Sequence, residues 1–250
     1  MADKLLDVNG LTVSVEEKEI LHDINLSINK GETHVLMGPN GAGKSTLGFA
    51  LMGSPKYTLN SGEILFNGKN INDETPDKRS KDGIFLSFQS PLEVPGLSLS
   101  SFIRNALEKN RGKRIRLWDF KKELRQAMEM DPSYSERDLN VGFSGGEKKK
   151  AEILQMLLLN SKLAILDETD SGLDVDAVRT VSKGVEHYQK NRDGALLIIT
   201  HSTGILESLK VDYTHIMVNG HIVKTGDASL IDEINEHGFE KYLELYAEKF

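Results

Sequence analysis

The sequence has no cysteine among its 250 residues. Disulfides, a catalytic thiol and any cysteine-held zinc or iron–sulfur cluster on this chain are therefore excluded. Long apolar runs are missing too. The most apolar stretch, Ile153-Leu154-Gln155-Met156-Leu157-Leu158-Leu159, falls far short of the roughly 18 residues that a membrane helix needs. Residues 1–7 have neither an apolar h-region nor an Arg/Ser-rich character, so no secretory or transit peptide is expected and the cytoplasm is the expected location. Positive charge is in deficit, with 31 Lys and Arg against 38 Asp and Glu and a net charge of -7. That balance disfavours broad electrostatic binding to nucleic acid or an acidic membrane. What remains is an ordinary soluble composition, 38% hydrophobic and 28% charged. The length suits one large or two-lobed domain.

Periodicity organises the chain. Leu11, Val13 and Val15 alternate, as do Ile24, Leu26 and Ile28, which predicts strands over 5–29. His34-Val35-Leu36-Met37 reads as a short apolar strand, followed by a Gly-rich loop and a helix over 44–52. A hairpin strand is expected over 60–71, and a strand over 84–88 that ends at Gln89. Pro91, Pro95 and Gly96 make 90–98 extended. The pattern is helical from Ser100 to about Met130, broken by a basic loop at 110–116 and stopped by Asp131-Pro132; a second helix covers 146–159. Leu163-Ala164-Ile165-Leu166 and Ala195-Leu196-Leu197-Ile198-Ile199 have the unbroken apolar character of central parallel strands. A helix over 175–189 separates them, and His201 stands just beyond the second. Residues 213–218 and 221–225 pair around Asn219-Gly220, a strong turn signal. The stretch from Leu230 is helical and acidic. Alternating strands and helices give an α/β fold with a parallel core sheet and an inserted helical lobe.

Gly38-Pro39-Asn40-Gly41-Ala42-Gly43-Lys44-Ser45 matches the phosphate-loop pattern G-x-x-x-x-G-K-[ST] in its required place between strand and helix. Glycines let backbone N–H groups fold around phosphates, and the helix N-terminus adds partial positive charge. Lys44 is placed to reach the β- and γ-phosphates and Ser45 to offer a hydroxyl to Mg²⁺, with Thr46 next in line. The apolar strand at 163–166 runs into Asp167 and Glu168, at the end of a strand where ligands of such sheets bind. Asp167 there suits Mg²⁺ held through its water shell, and Glu168 suits a general base facing the attacking water. Phe143-Ser144-Gly145-Gly146-Glu147 stands before a helix, with Ser144 as N-cap and two glycines that admit a phosphate close to the backbone.

With these motifs in order, the chain resembles the ATP-binding-cassette (ABC) ATPases over nearly its whole length. The shared landmarks are the phosphate loop at 38–45, Gln89 after a strand, the signature at 143–147, the acidic strand at 163–168 and His201 after a strand. Ser171-Gly172-Leu173-Asp174 is similar to the family's D-loop. The resemblance implies one nucleotide-binding domain over 1–250, with a parallel core sheet, an antiparallel β subdomain and a helical lobe. On this reading 1–89 and 151–250 form the catalytic lobe and 90–150 the helical lobe. It implies head-to-tail pairing of two copies, with Ser144, Gly145 and Gly146 gripping the γ-phosphate of ATP held by the second copy. Gln89 is implied to touch Mg²⁺ and the attacking water, His201 to bind the γ-phosphate, and Asp174 to cross the dimer interface. Val15 stands where many members stack an aromatic ring on adenine, and nothing in the sequence marks Tyr57 as a substitute.

Within the family the chain is similar to the SufC-type ATPases of Suf iron–sulfur cluster assembly. Glu168-Thr169-Asp170 has Thr-Asp where transporter ATPases usually have Pro-Thr. The signature has Phe143 and Glu147 where they usually have Leu and Gln, and Gln89-Ser90-Pro91-Leu92-Glu93-Val94-Pro95-Gly96-Leu97 resembles the subfamily's Q-loop. This implies SufB- and SufD-like scaffold partners, with the cluster carried elsewhere. Docking is expected just after Gln89, through those of Leu92, Val94, Leu97, Leu99 and Phe102 that do not simply pack into the lobe. Lys148-Lys149-Lys150 reads as a solvated basic helix start or, alternatively, as the source of a pairing of Lys149 or Lys150 with Glu168 that idles it, while Arg111-Gly112-Lys113-Arg114-Ile115-Arg116 reads as a solvated loop. The ATP-binding subunit of a membrane transporter, and a nucleotide-gated clamp that barely hydrolyses ATP, are the competing readings.

Overall fold

Alternation folds the first segment into an antiparallel hairpin, β1 (Lys4–Val15) and β2 (Lys18–Asn29), whose Leu11, Val13, Leu21 and Ile24 are fully buried. The structure is a computed structural model that describes residues 3–127, 132–191, 194–201 and 204–249. Next come β3 (Thr33–Met37) and α1 (Lys44–Met52), then β4 (Tyr57–Phe66) and β5 (Lys69–Asn70). Strands β4 and β5 complete an antiparallel sheet of order β2-β1-β4-β5. A short helix, α2 (Pro76–Asp82), which the sequence pattern did not reveal, leads into β6 (Ile84–Ser87).

The helical lobe follows. It comprises β7 (Val94–Ser98), α3 (Leu99–Arg111), α4 (Leu117–Ala127), a 3-10 turn at Pro132–Glu136 and β8 (Asp138–Leu139), which pairs antiparallel with β7. The expected helix end at Met130 and its stop at Asp131 lie outside the described residues. Helix α5 (Gly145–Leu159) runs through position 150 without a break. It sends Ala151 and Leu154 into the lobe's cluster of Leu99, Ile103, Leu107, Phe120 and Leu124, and Ile153 and Met156 into the cluster on the core sheet.

The remaining elements are β9 (Leu163–Asp167), α6 (Val175–Asn191), β10 (Ala195–Ile199), β11 (Tyr213–Val218), β12 (His221–Gly226), α7 (Ser229–His237) and α8 (Glu240–Lys249). The core sheet has the order β12-β11-β3-β10-β9-β6. All its pairings are parallel except β11 with β12. Every residue of β3, β9 and β10 is buried, because helices cover one face and α1 with the antiparallel sheet covers the other. Successive side chains of β10 alternate between the two cores, Leu197 and Ile199 on one face and Leu196 and Ile198 on the other. The carboxyl ends of β3, β6, β9 and β10 come out together, where ligands of parallel sheets bind.

The segment after Gln89 departs from expectation. Leu99 is fully buried, and Val94 and Phe102 pack on the same cluster, so they support the lobe. Leu97 is half-buried, and Leu92, at 80% exposure, is the open apolar side chain of the five. The cause is a tertiary pairing: β7 pairs with the distant β8 and turns the segment inward.

Candidate functional site

The phosphate loop joins β3 to α1 and must bend where side chains do not fit. A Cβ on Gly38 would lie 2.1 Å from the Met217 carbonyl oxygen. Gly43, at φ 103, caps α1 in the left-handed region, with Leu21 Cδ2 2.8 Å from where its Cβ would be. Between them Pro39, Asn40, Gly41 and Ala42 form a turn in which Ala42 N donates to Pro39 O at 3.2 Å. Helix α1 has no acidic side chain in its first turn and no side-chain cap, so its amino-terminal N–H groups keep their attraction for an anion. Lys44 is buried and its Nζ donates to Gly38 O at 2.8 Å and Pro39 O at 3.0 Å. Burial pushes its ammonium below the usual lysine value, while Glu168 and Asp167 pull it back up. Ser45 and Thr46, half-buried, occupy the first turn of α1.

Across the loop, Asp167 ends β9 almost completely buried. Burial raises its carboxyl above the usual range, against the pull of the Ser45 hydroxyl beside it. Glu168 follows with φ 45, a left-handed conformation that a non-glycine residue adopts only when held. Its backbone N donates to Ile199 O at 2.8 Å. Gln89 Nε2 donates to Glu168 Oε2 at 2.6 Å, and His201 Nδ1 lies 3.3 Å from Glu168 Oε1. Three residues from three different strand ends thus meet at one carboxylate.

Ser144, Gly145, Gly146 and Asp174 form a separate group. Ser144 caps α5 in a reciprocal box: its Oγ accepts from Glu147 N at 3.3 Å, and Glu147 Oε2 accepts from Ser144 N at 2.7 Å. A Cβ on Gly146 would lie 2.8 Å from Ala177 Cβ, so glycine lets α5 meet the start of α6. At Gly145 a Cβ would only touch Leu173 at an ordinary 3.6 Å, and Asp174 Oδ1 caps α6 by accepting from Ala177 N at 2.8 Å.

The expected pairing of Lys149 or Lys150 with Glu168 is not made. Glu168 pairs with His201, and buried Lys149 pairs with buried Glu152 one helical turn on, at 3.1 Å. Lys149 also donates to Phe88 O, while Glu152 accepts from Phe88 N and from Ser87 Oγ, both at 2.9 Å. Burial pushes the Glu152 carboxyl up, and the Lys149 charge pulls it back. This clasp fixes the signature helix to the backbone directly before Gln89. Lys148 adds a second tie, pairing with Glu93 at 2.9 Å. Sequence reasoning missed Glu152, because a Lys and a Glu at i,i+3 normally read as a solvated pair.

A divalent cation fits beside Asp167. The buried Oδ1 of Asp167 has no hydrogen-bond partner, and the Ser45 hydroxyl adjoins the same carboxylate. No group of three His, Asp or Glu placed to hold a metal ion by themselves occurs among the described residues, and a Mg²⁺ ion characteristically takes few protein ligands and completes its shell with phosphate and water.

The model of the family described as "ABC transporter" matches residues 21–171, a span that holds the phosphate loop, Gln89, the signature and both acids. The chain belongs to this family. It is an ATP-binding ABC ATPase. Similar curated proteins include a "Probable ATP-dependent transporter ycf16" of Trieres chinensis, 46% identical over 243 residues that cover 94% of this chain and 96% of that one. Another is "Vegetative protein 296" of Bacillus subtilis, 43% identical and covering 96% and 94%. Among solved structures, a nucleotide-free ATP-binding cassette from an ABC transporter superposes with a TM-score of 0.78 at 22% identity, covering 97% of this chain and 98% of that one. A dimeric cassette bound to ADP and phosphate reaches 0.77 at 19% identity, covering 89% and 98%. In this ABC ATPase Val15 lies opposite Tyr57 in the β1–β4 ladder, and the Tyr57 ring stacks on Phe49 with centroids 5.3 Å apart. One face of Tyr57 is therefore already taken. No helix among the described residues is long and apolar enough to cross a membrane.

Proposed function

We propose that this ABC ATPase hydrolyses MgATP as the soluble, cytoplasmic motor subunit of a SufBCD-type iron–sulfur cluster assembly complex, in the place of SufC. The observation that carries the hydrolytic part is the meeting of Gln89, Glu168 and His201 beside Lys44 and Asp167. The loop 38–45 wraps the phosphates, with Lys44 against the β- and γ-phosphates. Ser45 and Asp167 would hold Mg²⁺, aided by Gln89, and the ion would supply neutralisation of the phosphate oxygens. Glu168 takes a proton from the attacking water as its oxygen bonds to the γ-phosphorus and ADP leaves. Gln89 orients that water and His201 donates to the γ-phosphate. Ser144, Gly145 and Gly146 act on ATP held by a second copy, across an interface that Asp174 helps to form. That division explains why they stand apart from the loop within one chain.

The assignment to cluster assembly rests on Thr169-Asp170 together with the resemblance of the stretch after Gln89. Thr169 Oγ1 is 3.4 Å from Ser87 Oγ at the end of β6, and Asp170 Oδ1 accepts from Thr200 Oγ1 at 3.2 Å, one residue before His201. These residues build the wall behind the proposed base. The names of several relatives, "Probable ATP-dependent transporter", keep open a second reading as the ATP-binding subunit of a membrane transporter.

Co-purification of the tagged chain from soluble and membrane fractions separates the two. Soluble SufB- and SufD-like proteins are expected, and recovery with a multispanning membrane protein would overturn the assembly reading. MgATP turnover by the recovered complex, lost in Glu168→Gln, tests the hydrolytic part on its own.

A further inference from the structure

Helix α4 buries Phe120 and Leu124 in the helical lobe and turns its other face to solvent. Trp118, Lys121, Lys122 and Arg125 lie on that face at helical spacings of three, four and seven, forming one stripe. Together they line a cavity of about 230 Å³. Trp118 is 79% exposed and the adjacent Leu117 52%. A large aromatic side chain left in water beside cations is the composition of a binding hot spot rather than of an idle surface.

The charge around this stripe is opposite to that of the molecule. Residues 109–126 contain eight Lys and Arg against two Asp and Glu, in a chain whose net charge is -7. Both acids are already engaged. Glu123 takes Arg111 through two bonds of 3.0 and 2.8 Å, and Asp119 pairs with Arg116 at 3.2 Å. Lys121, Lys122 and Arg125 make no ion pair among the described residues. The run 111–116, read from sequence as a solvated loop, leads straight into this face and enlarges its positive field.

We propose that the α4 stripe docks an acidic protein segment carrying an apolar anchor. The anchor packs on Trp118 and Leu117, and its carboxylates meet Lys121, Lys122 and Arg125. Charge and size together select this occupant. Charges are screened beyond about 8 Å at physiological salt, so a short segment sees only the local cations. An extended polyanion, whether a membrane or a nucleic acid, also meets the acidic remainder of the molecule and is repelled by it. The stripe is about 10 Å long by the rise of a helix and forms only a shallow depression, which suits a short segment.

Trp118 is the chain's single tryptophan, so its fluorescence reports on this site alone. The full-length protein is titrated with the synthetic peptide Asp-Glu-Leu-Phe-Glu-Glu, with the same peptide carrying Lys at each acidic position, with phosphatidylglycerol vesicles and with a single-stranded oligonucleotide. A saturable blue shift with the acidic peptide alone, weakening as salt rises, is expected. The triple variant Lys121→Glu/Lys122→Glu/Arg125→Glu should lose about tenfold or more in affinity while keeping native ATP turnover. If charge reversal unfolds the lobe, the triple Gln variant makes the same measurement with a smaller loss. No shift with the acidic peptide, an equal shift with the Lys peptide, an unchanged affinity in the triple variant, or a stronger response to vesicles or oligonucleotide each overturns the proposal.

Discussion

Two groups of motif residues in this chain are built in contrasting ways. Around the phosphate loop Lys44 and Asp167 are buried, the charges are opposed, and the groups are joined to one another, with Gln89 and His201 exposed at the rim. Lys44 is driven down by burial, Asp167 is driven up and keeps an unpartnered oxygen, and Glu168 sits in a left-handed conformation between Gln89 and His201. Ser144, Gly145 and Asp174 are exposed, and the hydrogen bonds of Ser144 and Asp174 close on their own helix starts. The first group holds opposed charges, an unpartnered carboxylate oxygen and an uncapped helix start. The second is complete in itself and offers only a shape. A site made of one reactive half and one receptive half works when two surfaces meet, which is the economy of positioning that phosphoryl transfer calls for.

Glu168→Gln gives the sharpest test of this contrast. It removes the proton acceptor but keeps the size and the contact with Gln89. Turnover should fall by about 10²–10⁴-fold while ATP affinity is retained. Single-turnover kinetics and equilibrium nucleotide binding make the check, and native turnover in this variant would dissolve the distinction between the halves.

The Lys149–Glu152 clasp ties the two regions together, and the next effect belongs to it. Glu152→Ala leaves a buried ammonium without its partner, which costs about 3–5 kcal/mol. Lys149→Met/Glu152→Leu should recover most of that stability, because the pair is replaced by apolar volume. Urea unfolding of both variants measures this. Equal destabilisation in both would show that the clasp acts through its bonds to Ser87 and Phe88 rather than through its charges.

The platform behind the phosphate loop is predicted to be acid-sensitive. His34 on β3 and His215 on β11 are buried with Nδ1 of the former 2.9 Å from Nε2 of the latter. Glu32, Asp212, Tyr213 and Thr225 face the pair. Burial, then the neighbouring His34, lowers His215 to about 3, and burial lowers His34 against the pull of Glu32. An unfolded histidine takes its proton near pH 6.5, so here the unfolded state binds protons first. Stability is full above that pH and falls by about 1.4 kcal/mol per pH unit below it for His215, until the folded form protonates as well. His215→Phe should flatten the fall between pH 7 and 5. A slope unchanged by that substitution would place the acid sensitivity elsewhere.

How much of this was legible in the sequence depended on the kind of signal. Helix α1 runs over 44–52 as expected, because a left-handed glycine opens it and Gly53 closes it. Strands β9 and β10 declared themselves by unbroken apolar runs. The site residues were legible as a linear order, although their meeting at Glu168 was not. Helix α2 was hidden because its polar run has no periodicity. Its buried Arg79 holds it in place, donating to the carbonyls of Glu74, Ala50, Leu51, Ile71 and Asn72. Leu99 was taken for a docking contact because its fate depends on β7 meeting β8, more than forty residues away in sequence. Glu152 and Lys149 looked like surface for the same reason: only tertiary packing buries them.

The smallest effect bears most directly on the receptive half. Ser144→Ala removes the α5 cap and should cost about 1 kcal/mol of stability, seen as a lower urea midpoint. Any cap residue of equal quality repairs that loss, and Asn is one. Ser144→Asn should therefore regain native stability. If capping were the whole role of this position, turnover would return with it. If the hydroxyl meets nucleotide on a second copy, the Asn side chain is too large for the same approach, and turnover stays low in a chain of native stability that still binds ATP. The two variants together separate a turn that merely starts a helix from one that completes its neighbour's site.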